Sequence, residues 1–335
     1  MTRPAVLAAL TESSVAAAAL ARHAGLAMLP IEERRFEDGE FKLRPLESVR
    51  GRDVFVLQNL AGSAGAPVCE RLVRLLFLLQ GLRDAGAASI VVLLPYLAFA
   101  RKDRRTQLRD PLTLRYVAQL LEATHVDCLV SLDVHNPAAF DNAFRIPTVH
   151  LTALALLAEH FAVEPLPGAL AVVSPDVGGI KRAQLFSERL AARVGPDVEL
   201  AFVTKRRARD VVSTGRLAGE VCGRSVIVLD DLCATGGTLI RAAQACRRAG
   251  AASVRVAFTH APTSGGLAAL MASADICGIV MTDSTGVDRP PSLSAAASKL
   301  VTLPVAPLFG ELVRRMLAGV PVAPLLEDWP APCGG

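Results

Sequence analysis

The run from Val226 to Arg241, Val-Ile-Val-Leu-Asp-Asp-Leu-Cys-Ala-Thr-Gly-Gly-Thr-Leu-Ile-Arg, constrains the fold of this chain more than any other stretch. Four apolar residues, Val226 to Leu229, have the pattern of a strand buried on both faces, which belongs inside a parallel sheet. Two carboxylates, Asp230 and Asp231, follow at its C-terminal end, and a small, flexible loop then opens a helix. Backbone N–H groups from Ala234 to Thr238 can converge there on an anion, because Gly236 and Gly237 put no side chain in the way and the helix presents its positive end. Carboxylates cannot hold that anion, so Asp230 and Asp231 suit hydroxyls or a metal-bound group beside it. A phosphorylated polyol meets both demands. Neither a Walker loop nor a Rossmann Gly-x-Gly-x-x-Gly is present in this run.

The arrangement resembles the ribose-5-phosphate-binding motif of the type I phosphoribosyltransferase fold, a hydrophobic strand followed by Asp-Asp and Thr-Gly-Gly-Thr. An ordinary strand-to-helix turn with a capping threonine is the plainer reading, but it does not call for two acids, two glycines and two threonines within nine positions.

At 335 residues the chain is long enough for two domains, each with its own core. Hydrophobic residues make up 52% and aromatic residues only 4%, so Ala, Leu and Val have to supply the packing of helices on sheets. A net charge of +4 is too small to argue for a nucleic-acid partner. Seven cysteines are scattered without a Cys-x-x-Cys pair, which fits a reduced, cytoplasmic setting. No apolar run approaches the length of a membrane span.

Ahead of the opening run, strand and helix patterns alternate. Residues 5–10 read as a strand, followed by Thr11-Glu-Ser-Ser and an alanine-rich helix to Ala24. Phe36-Glu-Asp-Gly-Glu-Phe-Lys-Leu carries a hairpin signal at Asp38-Gly39, with strands expected through Phe41 and Leu43 and over 53–60. A plain hairpin explains this segment equally well, yet Phe36 and Glu40 on a projecting hairpin can also grip a nucleobase and its amino group. Helical spacing runs over 68–85 and an unbroken strand over 89–95. That alternation predicts parallel sheets flanked by helices. Directly after the strand stand Arg101, Lys102, Asp103, Arg104 and Arg105. Open α/β sheets bind ligands at such edges, and this basic cluster suits a polyphosphate. A helix over about 112–123 and a strand over 128–132 lead to Asp133-Val-His135, an acid and an imidazole spaced to serve a metal or its waters.

A helix over 152–163 closes the first half, and 164–168 reads as a linker. The alternation then restarts with a strand over 169–174, the loop Pro175-Asp-Val-Gly-Gly179 and a helix over 180–194. Asp176 can offer a carboxylate to Mg²⁺ while Gly178 and Gly179 let amides approach an anion. A strand over 199–203 runs into a stretch to Gly215 with four basic residues in five positions, which reads as a mobile loop able to close over a polyanion. Lys205 and Arg207 share a side if that stretch stays extended. Strands over 253–258 and 278–281, an amphipathic helix over 308–318 and a peripheral proline-rich tail complete the chain.

Taken in order, Phe36-Glu-Asp-Gly-Glu, the strand over 53–60, Pro95-Tyr with Ala-Arg-Lys-Asp-Arg, Leu132-Asp-Val-His, Ser174-Pro-Asp-Val-Gly-Gly, Lys205-Arg-Arg and Asp230-Asp with Thr-Gly-Gly-Thr resemble the motifs of the ribose-phosphate pyrophosphokinase family, roughly over 36–243. The resemblance implies two tandem type I phosphoribosyltransferase-like domains, each a mainly parallel sheet flanked by helices. Residues 1–163 would form the ATP side, 164–300 the ribose 5-phosphate side, and 301–335 a segment packing back on the first domain. It further implies an active site between the domains, completed by a hairpin of a neighbouring subunit, in a homo-oligomer built from dimers or hexamers. The implied reaction passes the diphosphoryl group of ATP to the anomeric hydroxyl of ribose 5-phosphate, giving phosphoribosyl diphosphate and AMP. Mg²⁺ is the implied cofactor, and neither nucleic acid nor membrane is a partner. Carried over motif by motif, Ala234, Thr235, Gly236, Gly237 and Thr238 hold the 5-phosphate, and Asp230 and Asp231 the ribose hydroxyls. Phe36, Asp38, Gly39, Glu40, Arg101, Lys102 and Asp103 contact ATP, His135 and Asp176 serve the metal, and Lys205 and Arg207 act on the transferring group.

Three positions depart from that pattern. Lys102 stands where glutamine is common, Arg145 where many members carry an acid, and Thr204 where an acid often precedes the basic pair. The Arg145 change weakens the case for a second cation site and for regulation by phosphate and ADP. Two other readings compete. A phosphoribosyltransferase that consumes phosphoribosyl diphosphate is opposed by the segments at 36–40 and 101–103; a non-catalytic regulatory subunit is opposed by intact Lys205, Arg207, His135 and Asp176. Cys233, inside the phosphate loop, is expected to be a buried, inert thiol.

Overall fold

The computed structural model describes residues 3–63, 65–164, 166–208, 211–286 and 299–327, the side chains of 205–208 and 211–215 excepted. They form two compact units: one holds the chain up to Thr152, Ser284–Gly286 and the segment from Pro304, and the other begins at Ala153 and ends at Leu303.

The first unit opens with β1 (Ala5–Ala9), α1 (Ser14–Ala24) and β2 (Ala27–Leu29), then the hairpin β3 (Ile31–Arg35) and β4 (Phe41–Pro45). It continues with β5 (Asp53–Leu57), α2 (Val68–Asp84), β6 (Ser89–Leu94), α3 (Thr113–Glu122), β7 (Cys128–Leu132), α4 (Pro137–Ala143) and β8 (Thr148–Leu151). The second unit holds α5 (Leu154–Val163), β9 (Leu170–Ser174), α6 (Ile180–Val194), β10 (Val198–Ala208), β11 (Val211–Ala218) and β12 (Ser225–Leu232). Its remaining elements are α7 (Gly237–Arg248), β13 (Ser253–His260), α8 (Ser264–Ala272), β14 (Gly278–Thr282) and β15 (Leu300–Leu303). The chain then returns to the first unit with α9 (Ala306–Ala318) and α10 (Ala323–Glu327).

Both sheets follow one plan. The first runs β2-β1-β5-β6-β7-β8, all parallel, and the second runs β10-β9-β12-β13-β14-β15, also parallel, with β11 added antiparallel at its edge. β5 and β12 therefore occupy the same place, third from the edge of the shared order. Helices α2, α3 and α4 make the crossovers from β5 through β8, and α7 and α8 those from β12 through β14, because a parallel pair needs a crossover that a tight turn cannot supply.

Alternation along β12 shows how the buried strand is built. Val226 and Val228 face Leu239 and Ala242 of α7, while Ile227 and Leu229 face Phe161 of α5 and Phe186 and Leu190 of α6. Full burial of such side chains contributes about 1.5–3 kcal/mol each, so the strand is a firm base for the loop at its C-terminal end. Because α5 shares that core, the second unit starts ahead of the stretch at 164–168. In the first unit α9 packs on α1, where Gly310 leaves no room for a side chain beside His23: a Cβ there would lie 2.5 Å from the His23 Cβ.

One expectation is overturned. The basic stretch at 204–215, read as a mobile loop, has over its described residues, 204–208 and 211–215, the backbone of an antiparallel strand pair, β10 with β11, with a register shift between Thr204 and Arg206. Its charge pattern hid a pairing whose β-branched partners, Val211, Val212 and Thr214, lie on the returning strand. No helix among the described residues is long and apolar enough to cross a membrane.

Candidate active site

The loop between β12 and α7 is held from behind. Gly236 adopts φ 76°, a left-handed conformation open to glycine at little cost, and caps α7. The N–H groups of Gly237, Thr238 and Leu239 fall in the first turn of α7, where the helix itself offers them no carbonyl. The carbonyl side of the loop is turned toward α8. Thr263, the N-cap of α8, donates its hydroxyl to the Ala234 carbonyl and accepts from Gly266 N at 3.4 Å. Gly266 lies so close that a Cβ on it would fall 2.3 Å from the Ala234 oxygen. Carbonyls backward and amides forward is the polarity an anion requires.

Asp230 and Asp231 stand just before Leu232, the last residue of β12, with side chains 20% and 5% exposed. Arg182, two residues into α6, reaches both: its Nη1 lies 3.2 Å from Asp231 Oδ1 and 4.0 Å from Asp230 Oδ1. Asp230 Oδ1 also accepts the Asp231 amide at 2.9 Å. Burial, followed by the adjacent Asp231 carboxylate, holds the Asp230 carboxyl well above the usual carboxylate range. Arg182 was not among the residues singled out from sequence; the only signal was the Lys181-Arg182 pair one residue beyond Gly178-Gly179. Cys233 is buried, and burial together with Asp230 pushes its thiol up to about 12.

The matching loop after β5 in the first unit has the opposite character. Gln58 and Asn59 stand where the acids stand in the second unit. The Asn59 amide donates to Ser13 Oγ at 2.8 Å, Ala61 N to Asn59 Oδ1 at 2.8 Å, and Ser63 and Ala66 exchange backbone bonds. Buried Arg71 fills the space beneath, donating to the Asn59 carbonyl and Ser63 Oγ at 3.2 Å each. Among the described residues, these loop amides are spent within the loop and its neighbours.

The remaining first-unit candidates gather on three segments. On the β3–β4 hairpin, Phe36 is 39% exposed with the Arg34 guanidinium 4.9 Å from its ring centre. Asp38 Oδ1 accepts the Glu40 amide at 3.0 Å, and Gly39 turns the chain at φ 92°. The hairpin is braced by Arg74 of α2, which pairs with Glu33 of β3 and with Glu12 at 3.1 Å. After β6, Phe99 sits at φ 64°, a strained position for an aromatic residue, and Arg101 is exposed. Lys102 is engaged elsewhere: its ammonium binds Asp110 Oδ2, which also accepts from Thr106 Oγ1, Thr106 N and Gln107 N. Those bonds, Lys102 first, hold the Asp110 carboxyl far below its ordinary range. Asp103 accepts from Asn136 Nδ2 at 2.6 Å, and the same Asn136 caps α4. The basic segment is thereby tied to the third, where His135 is exposed and Asp133 is buried, accepting from Thr152 Oγ1 at 2.8 Å.

Asp176 caps the short turn before α6, its Oδ1 accepting Gly179 N at 3.2 Å, and stays partly exposed. No three His, Cys, Asp or Glu side chains converge as a metal cage among the described residues. One imidazole and one carboxylate, separately presented, suit a magnesium ion that arrives on substrate phosphates and keeps few protein ligands. The side chains of Lys205 and Arg207 lie outside the described residues; their backbone belongs to β10.

Two parallel sheets of one topology, with an open phosphate loop and an acid pair in the second, define the phosphoribosyltransferase class of fold. Residues 164–275 match the phosphoribosyl transferase domain family, and residues 5–124 match the family described as the N-terminal domain of ribose phosphate pyrophosphokinase. A ribose-phosphate pyrophosphokinase of Caldanaerobacter subterraneus subsp. tengcongensis is 36% identical over 92% of this chain and 93% of its own. One from Bacillus caldolyticus is 34% identical over 92% and 94%. A phosphoribosylpyrophosphate synthetase crystal structure from Mycobacterium smegmatis superposes with a TM-score of 0.81 at 30% identity, covering 95% of this chain and all of that one. The chain belongs to the ribose-phosphate pyrophosphokinase family and is an enzyme of that class.

Proposed function

We propose that this enzyme transfers the diphosphoryl group of ATP to the anomeric hydroxyl of ribose 5-phosphate, and that its two units divide the substrates. The observation that carries the reading is the contrast between the equivalent loops: the one after β12 leaves first-turn amides for an anion beside an acid pair, while the one after β5 is closed on itself. Ala234, Thr235, Gly236, Gly237 and Thr238 cradle the 5-phosphate. Asp230 and Asp231 accept the ribose hydroxyls, which fixes the anomeric oxygen as the nucleophile. Phe36, Asp38, Gly39, Glu40, Arg101, Lys102 and Asp103 take ATP, with Lys102 acting on the nucleotide only after leaving Asp110. The transferring group develops charge on its equatorial oxygens, so fixed cations stabilise the transition state, and Lys205 and Arg207 supply them. His135 and Asp176 would hold Mg²⁺, which would supply charge neutralisation at the substrate phosphates.

The six described cysteines are all free thiols, which supports a reduced, cytoplasmic setting. A homo-oligomer of dimers or hexamers accords with the family resemblance. A coupled assay for AMP from ATP, Mg²⁺ and ribose 5-phosphate tests the function. AMP formation dependent on ribose 5-phosphate is expected. Consumption of phosphoribosyl diphosphate with a nucleobase, or no AMP but tight association with an active synthetase, would replace this reading with one of its competitors.

A further inference from the structure

Asp230 and Asp231 present a physical problem that Arg182 offsets in part. Two carboxylates at the end of a buried strand repel each other and lose solvation, and left alone they would share a proton or swing apart. A sugar site needs them held still, because hydroxyls bind best to acceptors fixed in one geometry. The Arg182 guanidinium, 18% exposed, lies 3.2 Å from Asp231 and 4.0 Å from Asp230. One nitrogen, Nη1, makes both approaches, so a single positive charge serves the pair.

Its place in the chain adds a second consideration. Arg182 stands six residues beyond Asp176, after a turn fixed by Asp176 Oδ1 on Gly179 N and by Ser174 Oγ donating to the Asp176 carbonyl at 2.6 Å. A Cβ on Gly179 would lie 2.6 Å from Ser174 Oγ, so the turn admits little adjustment. α6 itself is anchored by Phe186 and Leu190, both fully buried. The guanidinium is therefore delivered from a rigid helix start.

We propose that Arg182 is a positioning residue of the ribose site: seated behind the acid pair, it holds Asp230 and Asp231 as one fixed acceptor for the sugar hydroxyls. The proposal rests on the ribose 5-phosphate reading of that pair. It assigns Arg182 no contact with ATP, so its removal separates the two substrates.

The test uses the full chain with Arg182→Gln and Arg182→Lys. Steady-state KM values for ribose 5-phosphate and ATP are measured separately, and the thermal shift given by each substrate is recorded. Losing the charge that faces the acid pair raises the KM for ribose 5-phosphate about tenfold or more in Arg182→Gln, with the KM for ATP within about twofold of the wild type. Arg182→Lys keeps the charge and restores most of the loss, to within about threefold. If Arg182→Gln does not fold, Arg182→Lys still decides, since a small rise confined to ribose 5-phosphate supports the proposal. Equal changes in both KM values, or no change in either, overturn it. A wild-type enzyme that forms no AMP would defeat the underlying functional reading instead, so the two failures are distinct.

Discussion

Gly266→Ala is a sharp perturbation of the phosphate loop that replaces no residue of the loop itself. The added Cβ would sit 2.3 Å from the Ala234 oxygen, 2.8 Å from its carbonyl carbon and 3.1 Å from the Cys233 oxygen. These are backbone atoms, so no side chain can swing aside, and the nearest contact is about 1 Å shorter than an ordinary van der Waals separation. Either α8 or the loop must move by roughly that amount. Overpacking of this kind costs about 1–3 kcal/mol, a fall in Tm of roughly 2–12 °C for a unit of this size. A displacement near 1 Å in a positioning loop costs on the order of a hundredfold in rate. The expected result is a fall of about that size in kcat/KM for ribose 5-phosphate, with the protein still folded. Gly265→Ala is the control: nothing lies within 4 Å of its Cβ, and alanine in the helix is worth up to about 1 kcal/mol. A folded Gly266→Ala enzyme with kcat/KM within about threefold of the wild type would refute the claim that α8 sets the loop.

Three other outcomes are expected. Lys205→Ala lowers turnover by at least roughly a hundredfold with a smaller effect on ribose 5-phosphate binding; near-normal turnover would remove it from the chemistry. Alkylation at neutral pH labels exposed Cys69, Cys222 and Cys277 but spares Cys233 and Cys246, both pushed up to about 12, and Cys128, pushed up to about 11, as peptide mapping would show. Asp110→Asn loosens the 101–110 segment and raises the KM for ATP several-fold while leaving that for ribose 5-phosphate in place. Because the folded Asp110 value is depressed, its contribution is complete above the ordinary carboxylate value and is lost only as pH falls through the lower folded one. ATP affinity therefore shows no acid limb from this group between about pH 5 and 8, and such a limb, absent in Asp110→Asn, would count against the arrangement.

Features set by local chemistry were the readable ones. Val226–Leu229 announced β12, Asp38-Gly39 announced the hairpin, and the spacing of leucines announced α2, because each depends on residues a few positions apart. Arg74 was invisible in the sequence: its partners Glu12 and Glu33 lie 62 and 41 residues away. Thr263 and Gly266 were missed for the same reason, since they act on a loop 29 or more residues upstream. The stretch at 204–215 misled in the other direction. Its basic cluster signals solvation, while the pairing that makes it strand depends on the returning residues of β11. Lys102 read as a free cation because nothing in a linear sequence shows that Asp110 folds back onto it.

The most direct measurement tracks the phosphorus atoms of ATP by ³¹P NMR in the presence of Mg²⁺ and ribose 5-phosphate. Equimolar AMP and a sugar carrying an anomeric diphosphate beside its 5-phosphate are the expected products, with Asp231→Ala losing both together. ADP as the nucleotide product, or AMP accompanied only by free diphosphate, would contradict diphosphoryl transfer to a sugar held at the loop after β12.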